Sequence, residues 1–180
     1  MPMARWNGDN SMMEYPYGYC GMPCALCTRC RTDGKSRCPG CSHDGYYTDV
    51  CKAHHCCRQR GVGHCGACPD FPCARLGKMG DFKDLDTGHV KQRTCAAVAA
   101  GGFEKWYREY TQRADLLTAA LTRYNDGRRK RFLCELFIKA ELPALQETMA
   151  RAEALAGDPK ELAKAFQQLA SEVLQERAPR

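Results

Sequence analysis

The sequence predicts a small metal-stabilised, cysteine-rich module, loop-rich and zinc-knuckle-like, that packs against an all-α helical subdomain. Twelve of the fourteen cysteines lie in residues 20–73, where only four residues are Leu, Ile, Val or Phe. Beyond Cys73 the chain becomes rich in Ala, Leu, Glu, Lys and Arg with helical periodicity. These observations predict an N-terminal extension at 1–19, a cysteine-rich metal-binding module at 20–76, a polar connector at 77–88 and a helical subdomain at 89–180.

Apolar packing alone cannot hold the cysteine-rich segment together. With so few large apolar side chains it buries too little surface to offset its chain entropy, so metal ions or disulfides must stabilise it. Residues 1–19 lack the unbroken apolar run of a signal peptide, and no later stretch is long enough to span a membrane. We therefore expect a cytoplasmic protein with no membrane partner. In a reducing cytosol, paired cysteines bind metal more often than they form disulfides.

The spacing of the cysteines indicates how they would bind a metal. Four pairs have two residues between them: Cys24 and Cys27, Cys27 and Cys30, Cys38 and Cys41, and Cys65 and Cys68. A tight turn over such a spacer aims both sulfurs at one ion, so each pair supplies half of a site. We call such a pair and its turn a knuckle. Single cysteines elsewhere can complete the coordination. The candidate metal ligands are Cys20, Cys24, Cys27, Cys38, Cys41, Cys51, Cys56, Cys65, Cys68 and Cys73.

Zinc is the metal that this pattern favours. Four thiolates in a closed tetrahedral shell fit short knuckles on a loop-rich scaffold, and the candidate ligands are enough for two zinc ions, with the pairing left open. The sequence also leaves open the roles of Cys30, of Cys57 and of the histidines at 43, 54, 55 and 64. Cys95 and Cys134 lie in apolar helical contexts and are predicted to pack as small hydrophobic residues.

An iron-sulfur cluster is the alternative cofactor. Cys20, Cys24 and Cys27 have the spacing that radical S-adenosylmethionine enzymes use for a four-iron cluster. At 180 residues, however, the chain is too short for this module and a full α/β barrel. A ferredoxin would place its next Cys-Pro soon after Cys30, whereas Cys38 follows eight positions later. The iron-sulfur hypothesis predicts an electron carrier or a redox sensor.

Four stretches of the cysteine-rich segment resemble a known family. They are Tyr19 to Cys27, Cys38 to Cys41, Cys56 to Val62 and Cys65 to Cys73. In this order they are similar to the cysteine-rich prokaryotic family named domain of unknown function 3795. The similarity covers residues 20–73 and extends more loosely to 102–106 and 125–129. It implies a metal-binding module without an established activity, and the chain departs from the family pattern at Cys30 and Cys57.

Apolar periodicity predicts five helices beyond residue 88. They span about His89 to Ala100, Phe103 to Tyr124, Arg129 to Ala140, a segment from Pro143 towards Gly157, and a last helix after Asp158. Pro143 either opens the fourth helix or kinks the third. The last helix has the clearest start, because Asp158 suits the N-cap, Pro159 the first turn and Glu161 the third position of a capping box.

The charge of the chain argues against nucleic acid as a partner. The formal net charge is +6 when every thiol is counted as neutral. Each zinc ion with four thiolates contributes about −2, so two such sites leave about +2. The basic cluster at 128–131 is predicted to be a solvated surface, although it could contact phosphate. Zinc-dependent nucleic-acid binding is therefore the third hypothesis.

No catalytic motif accompanies the cysteines. The sequence has no nucleophile elbow, no glycine-rich phosphate loop and no His-Glu-x-x-His pattern, so no catalytic residue is predicted. Enzymatic activity through an open metal position stays undecided by the sequence, and we expect none. The predicted function is a metal-binding protein in which structural zinc supports a regulatory role or binding to another protein.

Overall fold

The structure is a computed structural model that describes residues 15–41, 49–79 and 89–177. Within these residues the chain is mostly helical, with seven α-helices and no β-strand. The helices are α1 (Lys52–Arg60), α2 (Ala74–Gly77), α3 (Val90–Gly101), α4 (Phe103–Tyr124), α5 (Lys130–Lys139), α6 (Leu142–Ala152) and α7 (Pro159–Glu176). Two 3-10 turns, Cys24–Leu26 and Cys65–Ala67, lie in the cysteine-rich segment. None of the described helices is long and apolar enough to cross a membrane.

The five helices predicted beyond residue 88 are confirmed. α4 has the predicted bounds, and Pro143 lies in the first turn of α6, so it opens that helix and does not kink α5. The start of α7 also follows the prediction. The Asp158 carboxylate accepts hydrogen bonds from the backbone N–H groups of Lys160 and Glu161, and the Glu161 carboxylate accepts one from Asp158 N.

The cysteine-rich segment contains a helix that the sequence pattern does not predict. α1 ends at Gly61, whose φ of 64° is a left-handed conformation that glycine adopts easily. The buried residues of α1 are Ala53, His54 and Cys57. None of these side chains is large and apolar, so α1 shows no hydrophobic stripe in the sequence. The segment is therefore less loop-rich than predicted.

The chain divides into two compact units, Met1–Tyr110 and Thr111–Arg180. The first unit contains the cysteine-rich segment, α3 and the start of α4. The predicted domain boundaries stay predictions, as does the packing of the module against the helical subdomain. Most of the predicted N-terminal extension at 1–19 and most of the connector at 77–88 lie outside the described residues.

Aromatic side chains from the start of α4 form much of the core of the first unit. The Trp106 indole stacks on the Tyr110 ring, with centroids 5.1 Å apart. The Tyr110 hydroxyl accepts a hydrogen bond from Ala25 N at 2.7 Å and donates one to Pro16 O at 2.5 Å. Tyr17 is 1% exposed and packs edge-on against Trp106. Rings from α4 therefore help to anchor the cysteine-rich segment, which is poor in large apolar residues of its own.

Helices form the core of the second unit. The Tyr124 ring stacks on Phe166 of α7 at 4.4 Å, and its hydroxyl donates a hydrogen bond to Ala152 O at 2.9 Å. Arg113 binds the end of α5, because its guanidinium donates to Phe137 O at 3.1 Å and to Ala140 O at 2.5 Å.

The two cysteines outside the cysteine-rich segment are both buried. Cys134 of α5 is 0% exposed in the core of the second unit, which confirms the predicted packing role. Cys95 of α3 is also 0% exposed, and its thiol donates to the carbonyl oxygen of Cys20 at 3.4 Å. Cys95 therefore packs as predicted, but it lies against the cysteine-rich segment.

Candidate metal centre

All fourteen cysteines lie in the described residues, and all are free thiols. Six of the twelve within residues 20–73 are buried, five are partly exposed and Cys73 is exposed, while Cys95 and Cys134 are both buried. A single buried thiol can pack as a small hydrophobic residue, but several buried thiols close together also have the chemistry of a metal site.

Four thiols from separate parts of the sequence meet in what we call the first thiol group. They are Cys20, Cys24, Cys41 and Cys51. Two glycines allow this approach. A Cβ on Gly18 would lie 3.5 Å from Cys20 Sγ and 3.4 Å from Cys41 Cβ. A Cβ on Gly40 would lie only 2.5 Å from the Cβ of Pro16, and the φ of 106° at Gly40 is one that glycine adopts readily.

Hydrogen bonds and charge connect the members of the first thiol group. Cys41 donates its backbone N–H to Cys24 Sγ at 3.3 Å. A hydrogen bond between the two side chains raises the pKa of the Cys24 thiol and lowers the pKa of the Cys41 thiol. Burial is the main cause that raises the pKa of Cys20 to about 12, with the charge of Lys91 opposing it and those of Cys41 and Cys51 adding to it. These thiols are therefore close enough to affect one another's ionisation.

A cavity of about 220 Å³ borders the first thiol group. Cys20, Cys41 and Cys51 line it together with His54 and Lys91. The Lys91 side chain is 5% exposed, so its charge acts on the thiols with little screening by water. The charge of Lys91 opposes the rise that burial causes in the pKa of the Cys20 thiol but does not cancel it.

Cys27, Cys30 and Cys38 lie beside the first thiol group. The Cys30 thiol donates a hydrogen bond to Cys38 O at 3.1 Å. Burial is the main cause that raises the pKa of Cys30 to about 12, and the charges of Cys38 and Cys27 add to it. The predicted ligands Cys27 and Cys38 are therefore neighbours of Cys30, whereas their knuckle partners Cys24 and Cys41 contact each other.

A second thiol group surrounds a separate small cavity of about 30 Å³ in the first unit. Its members are Cys56, Cys57, Cys65, Cys68 and Cys73. Helix α1 supplies the first two, the 3-10 turn Cys65–Ala67 and its C-cap supply the next two, and the N-cap of α2 supplies the last. Such a volume has room for one water molecule or one metal ion.

The closest thiols in the second group are those of Cys57 and Cys65, whose sulfur atoms lie 3.6 Å apart. Their hydrogen bond is the main cause that raises the pKa of the Cys65 thiol, and burial adds to it. The Arg60 guanidinium pairs with Asp70 and lies 3.8 Å from Cys68 Sγ. An ion pair therefore lies at the edge of this group, with its guanidinium beside Cys68.

Helix α3 packs directly on the turn that carries Cys65. A Cβ on Gly66 would lie 2.3 Å from Cys95 O and 2.9 Å from Cys95 Cα. Only glycine fits between the turn and the backbone of α3 at this distance. The turn that carries Cys65 is thus positioned by contact of its backbone with the backbone of α3.

The histidines make contacts that do not require a metal. His64 is 0% exposed, and its Nδ1 accepts a hydrogen bond from Gly66 N at 3.0 Å. Its ring packs on Trp106, and burial lowers its pKa to about 4, so the imidazole is neutral near pH 7. His55 Nε2 lies 3.0 Å from Asp49 O, and His54 packs edge-on against Tyr19. His43 lies outside the described residues.

The described thiols supply the donor type that zinc prefers, but they do not form a finished coordination shell. Across residues 15–41, 49–79 and 89–177, no group of three or more Cys, His, Asp or Glu side chains is arranged to hold a metal ion. The close approaches are between pairs, as for Cys24 with Cys41 and Cys57 with Cys65. The donor set fits zinc in chemistry, and small movements of side chains would have to complete each site.

Sequence reasoning left one member of the second group out of its ligand list. Cys57 is 2% exposed and has the closest thiol contact in that group, yet the sequence favours Cys56. A signal was present, because Cys57 follows Ala53 by one helical turn on the buried face of α1. That signal is visible only once the segment is known to be helical.

Comparison of the chain with protein-family models, with curated proteins and with solved structures finds no match. The geometry of the thiols is therefore the observation on which a functional proposal can rest.

Proposed function

We propose that the chain is a metal-binding protein in which two structural zinc ions, held by cysteine thiolates, stabilise a zinc-knuckle-like module at residues 20–76. One observation carries the proposal: cysteines that are distant in sequence meet in two groups, and none of them forms a disulfide. The resemblance of residues 20–73 to domain of unknown function 3795 agrees with it, and membership of that family is part of the proposal.

Zinc accounts for the thiol groups with the fewest further assumptions. Each group contains at least four thiols, enough for a closed tetrahedral shell. In the first group, Cys24 meets Cys41 from a different pair, so each of the two pairs supplies one thiol, and Cys20 and Cys51 supply the others. An iron-sulfur cluster is the competing hypothesis, and visible absorption by the purified protein would support it.

The proposed role of the zinc ions is structural. A closed shell of four thiolates leaves no coordination position for a substrate, so the metal would stabilise a fold rather than perform a reaction. The module would then support a regulatory function or binding to another protein, in the reducing cytoplasm where free thiols persist. A nucleic acid is the less favoured partner, because zinc-bound thiolates cancel most of the positive charge.

Chelation provides the test of this proposal. Removal of zinc at mild pH should expose titratable thiols and make residues 20–73 sensitive to protease, because structural zinc contributes on the order of 10 kcal/mol to folding. Helices α5 to α7 should persist, since apolar packing holds them. The internal control is a protease site in residues 111–177, which should stay protected under the same chelator. Full protection of the cysteine-rich segment in the metal-free protein would contradict the proposal.

A further inference from the structure

Adjacent cysteines of α1 occupy different environments in the second thiol group. Cys57 is 2% exposed, and its sulfur atom lies 3.6 Å from that of Cys65. Cys56 is partly exposed, and besides the 30 Å³ cavity it lines an open groove with Lys52, His55 and Gln59. Helix geometry separates neighbouring side chains by about 100°, so the two side chains leave α1 in different directions.

The distance between Cys57 and Cys65 matches the geometry of one zinc ion. A Zn–S bond of about 2.3 Å in a tetrahedral shell places any two sulfur ligands about 3.8 Å apart. The observed 3.6 Å is close to that value, whereas a disulfide would bring the sulfurs to about 2.0 Å. Two thiols are therefore already spaced like neighbouring corners of the coordination tetrahedron.

Two further thiols are available at the same cavity. Cys68 follows Cys65 on a two-residue spacer, and the Cys68 backbone N–H donates to Cys65 O at 3.1 Å, which closes the knuckle turn. Cys73 is the N-cap of α2 and lines the same cavity. With Cys57 and Cys65 they complete a set of four thiols contributed by three local elements.

The charged side chains around the cavity favour four thiolate ligands over a coordination shell that mixes thiolate and histidine ligands. Zinc with four thiolates has a net charge of about −2. Arg60 and Arg75 both line the cavity, and Arg60 lies 3.8 Å from Cys68 Sγ while it also pairs with Asp70. The guanidinium of Arg75 would offset part of the negative charge of such a centre, while that of Arg60 is shared with Asp70.

We propose that Cys57, Cys65, Cys68 and Cys73 bind one zinc ion, and that the neighbouring Cys56 is not a ligand. This inference rests on the proposed function, and it replaces Cys56 of the sequence-based ligand list by Cys57. Cys56 then remains a free thiol at the wall of the open groove that Lys52, His55 and Gln59 also line.

A pair of matched variants tests the assignment, because Cys56→Ser and Cys57→Ser make the same chemical change one residue apart. Zinc content is measured for the full chain, reconstituted with zinc without air and separated from excess metal. The wild type should retain two zinc ions per chain, Cys56→Ser should retain two, and Cys57→Ser should retain one. Cobalt substitution gives a second readout: the sulfur-to-cobalt absorption should fall in Cys57→Ser and stay unchanged in Cys56→Ser.

The outcomes separate this inference from the proposed function. A wild type that retains no metal would overturn both. If the wild type retains two zinc ions, retention of two zinc ions by Cys57→Ser would overturn only the ligand assignment. Retention of a single zinc ion by Cys56→Ser would do the same. If Cys57→Ser does not fold, alkylation of the zinc-loaded wild type decides the question. Cys56 should then be labelled without zinc release, and labelling that releases zinc, or protection of Cys56 until zinc leaves, would overturn the assignment.

Discussion

Replacing Gly66 by Ala tests whether the second thiol group depends on the close approach of the Cys65–Ala67 turn to α3. The added methyl carbon would lie 2.3 Å from Cys95 O, 2.9 Å from Cys95 Cα and 2.9 Å from the Cβ of Val98. Two of these three atoms belong to the helix backbone and cannot rotate away. Either the turn or α3 must therefore move.

The size of the effect follows from two opposing terms. Overpacking of a well-packed site costs about 1–3 kcal/mol, and contact with backbone places Gly66→Ala at the upper end, near 3 kcal/mol. Alanine also restricts the unfolded chain, which stabilises the protein by about 0.4–1 kcal/mol where the native φ suits it. Gly66 has no positive φ, so this gain applies. The net expectation is a loss of about 2 kcal/mol in the free energy of unfolding.

Denaturant titration of the zinc-loaded protein, followed by tryptophan fluorescence, measures this loss. Gly77→Ala is the matched control, because a Cβ on Gly77 meets nothing within 4 Å and the residue lies in α2. Its free energy of unfolding should stay level or rise by up to about 1 kcal/mol. Equal midpoints for Gly66→Ala and the wild type would refute the proposed packing of the turn on α3.

Two further predictions concern the stability of the helices, and a third concerns the affinity for nucleic acid. Asp158→Ala removes the N-cap of α7 and should cost about 1 kcal/mol of unfolding free energy, measured by chemical denaturation. Phe166→Ala removes a ring that is 1% exposed and stacked on Tyr124, and should cost about 3–5 kcal/mol in the same assay. The basic cluster at 128–131 should bind nucleic acid no tighter than roughly 10–100 micromolar at physiological salt, because two of its arginines pair with nearby carboxylates. A gel-shift titration measures that affinity.

Each of these predictions has an outcome that contradicts it. Asp158→Asn should keep most of the stability that Asp158→Ala loses, and equal losses would show that capping is not the cause. A loss below about 1 kcal/mol for Phe166→Ala would show that the ring is not part of a packed core. Submicromolar binding of nucleic acid, abolished when Arg128, Arg129 and Arg131 are changed to Ala, would move nucleic-acid binding to the first hypothesis.

Helices with local signals were predictable from the sequence. α7 begins with Asp158, Pro159 and Glu161, and each of these residues acts within one turn of the helix start. α4 has regularly spaced large side chains and ends before the turn at Asn125. Such features depend on residues a few positions apart, so a single sequence carries them in full.

Features that depend on distant contacts were not predictable. Nothing near Cys24 in the sequence indicates that Cys41 donates to its sulfur, because that contact depends on how closely Gly40 approaches Pro16. α1 lacks a hydrophobic stripe, since its buried face is formed by small and polar side chains packed among other thiols. The choice between Cys56 and Cys57 depends on the face that α1 buries, so it could not be made before the helix was known.

Metal analysis of the protein purified without air tests the central claim most directly. The account predicts two zinc ions per chain, little iron and no absorption band in the visible range, since zinc bound by thiolates is colourless. Iron with inorganic sulfide and a visible band would contradict the zinc assignment and favour the iron-sulfur hypothesis. A fully folded protein that contains no metal would contradict the claim that thiolate-bound metal stabilises the cysteine-rich segment.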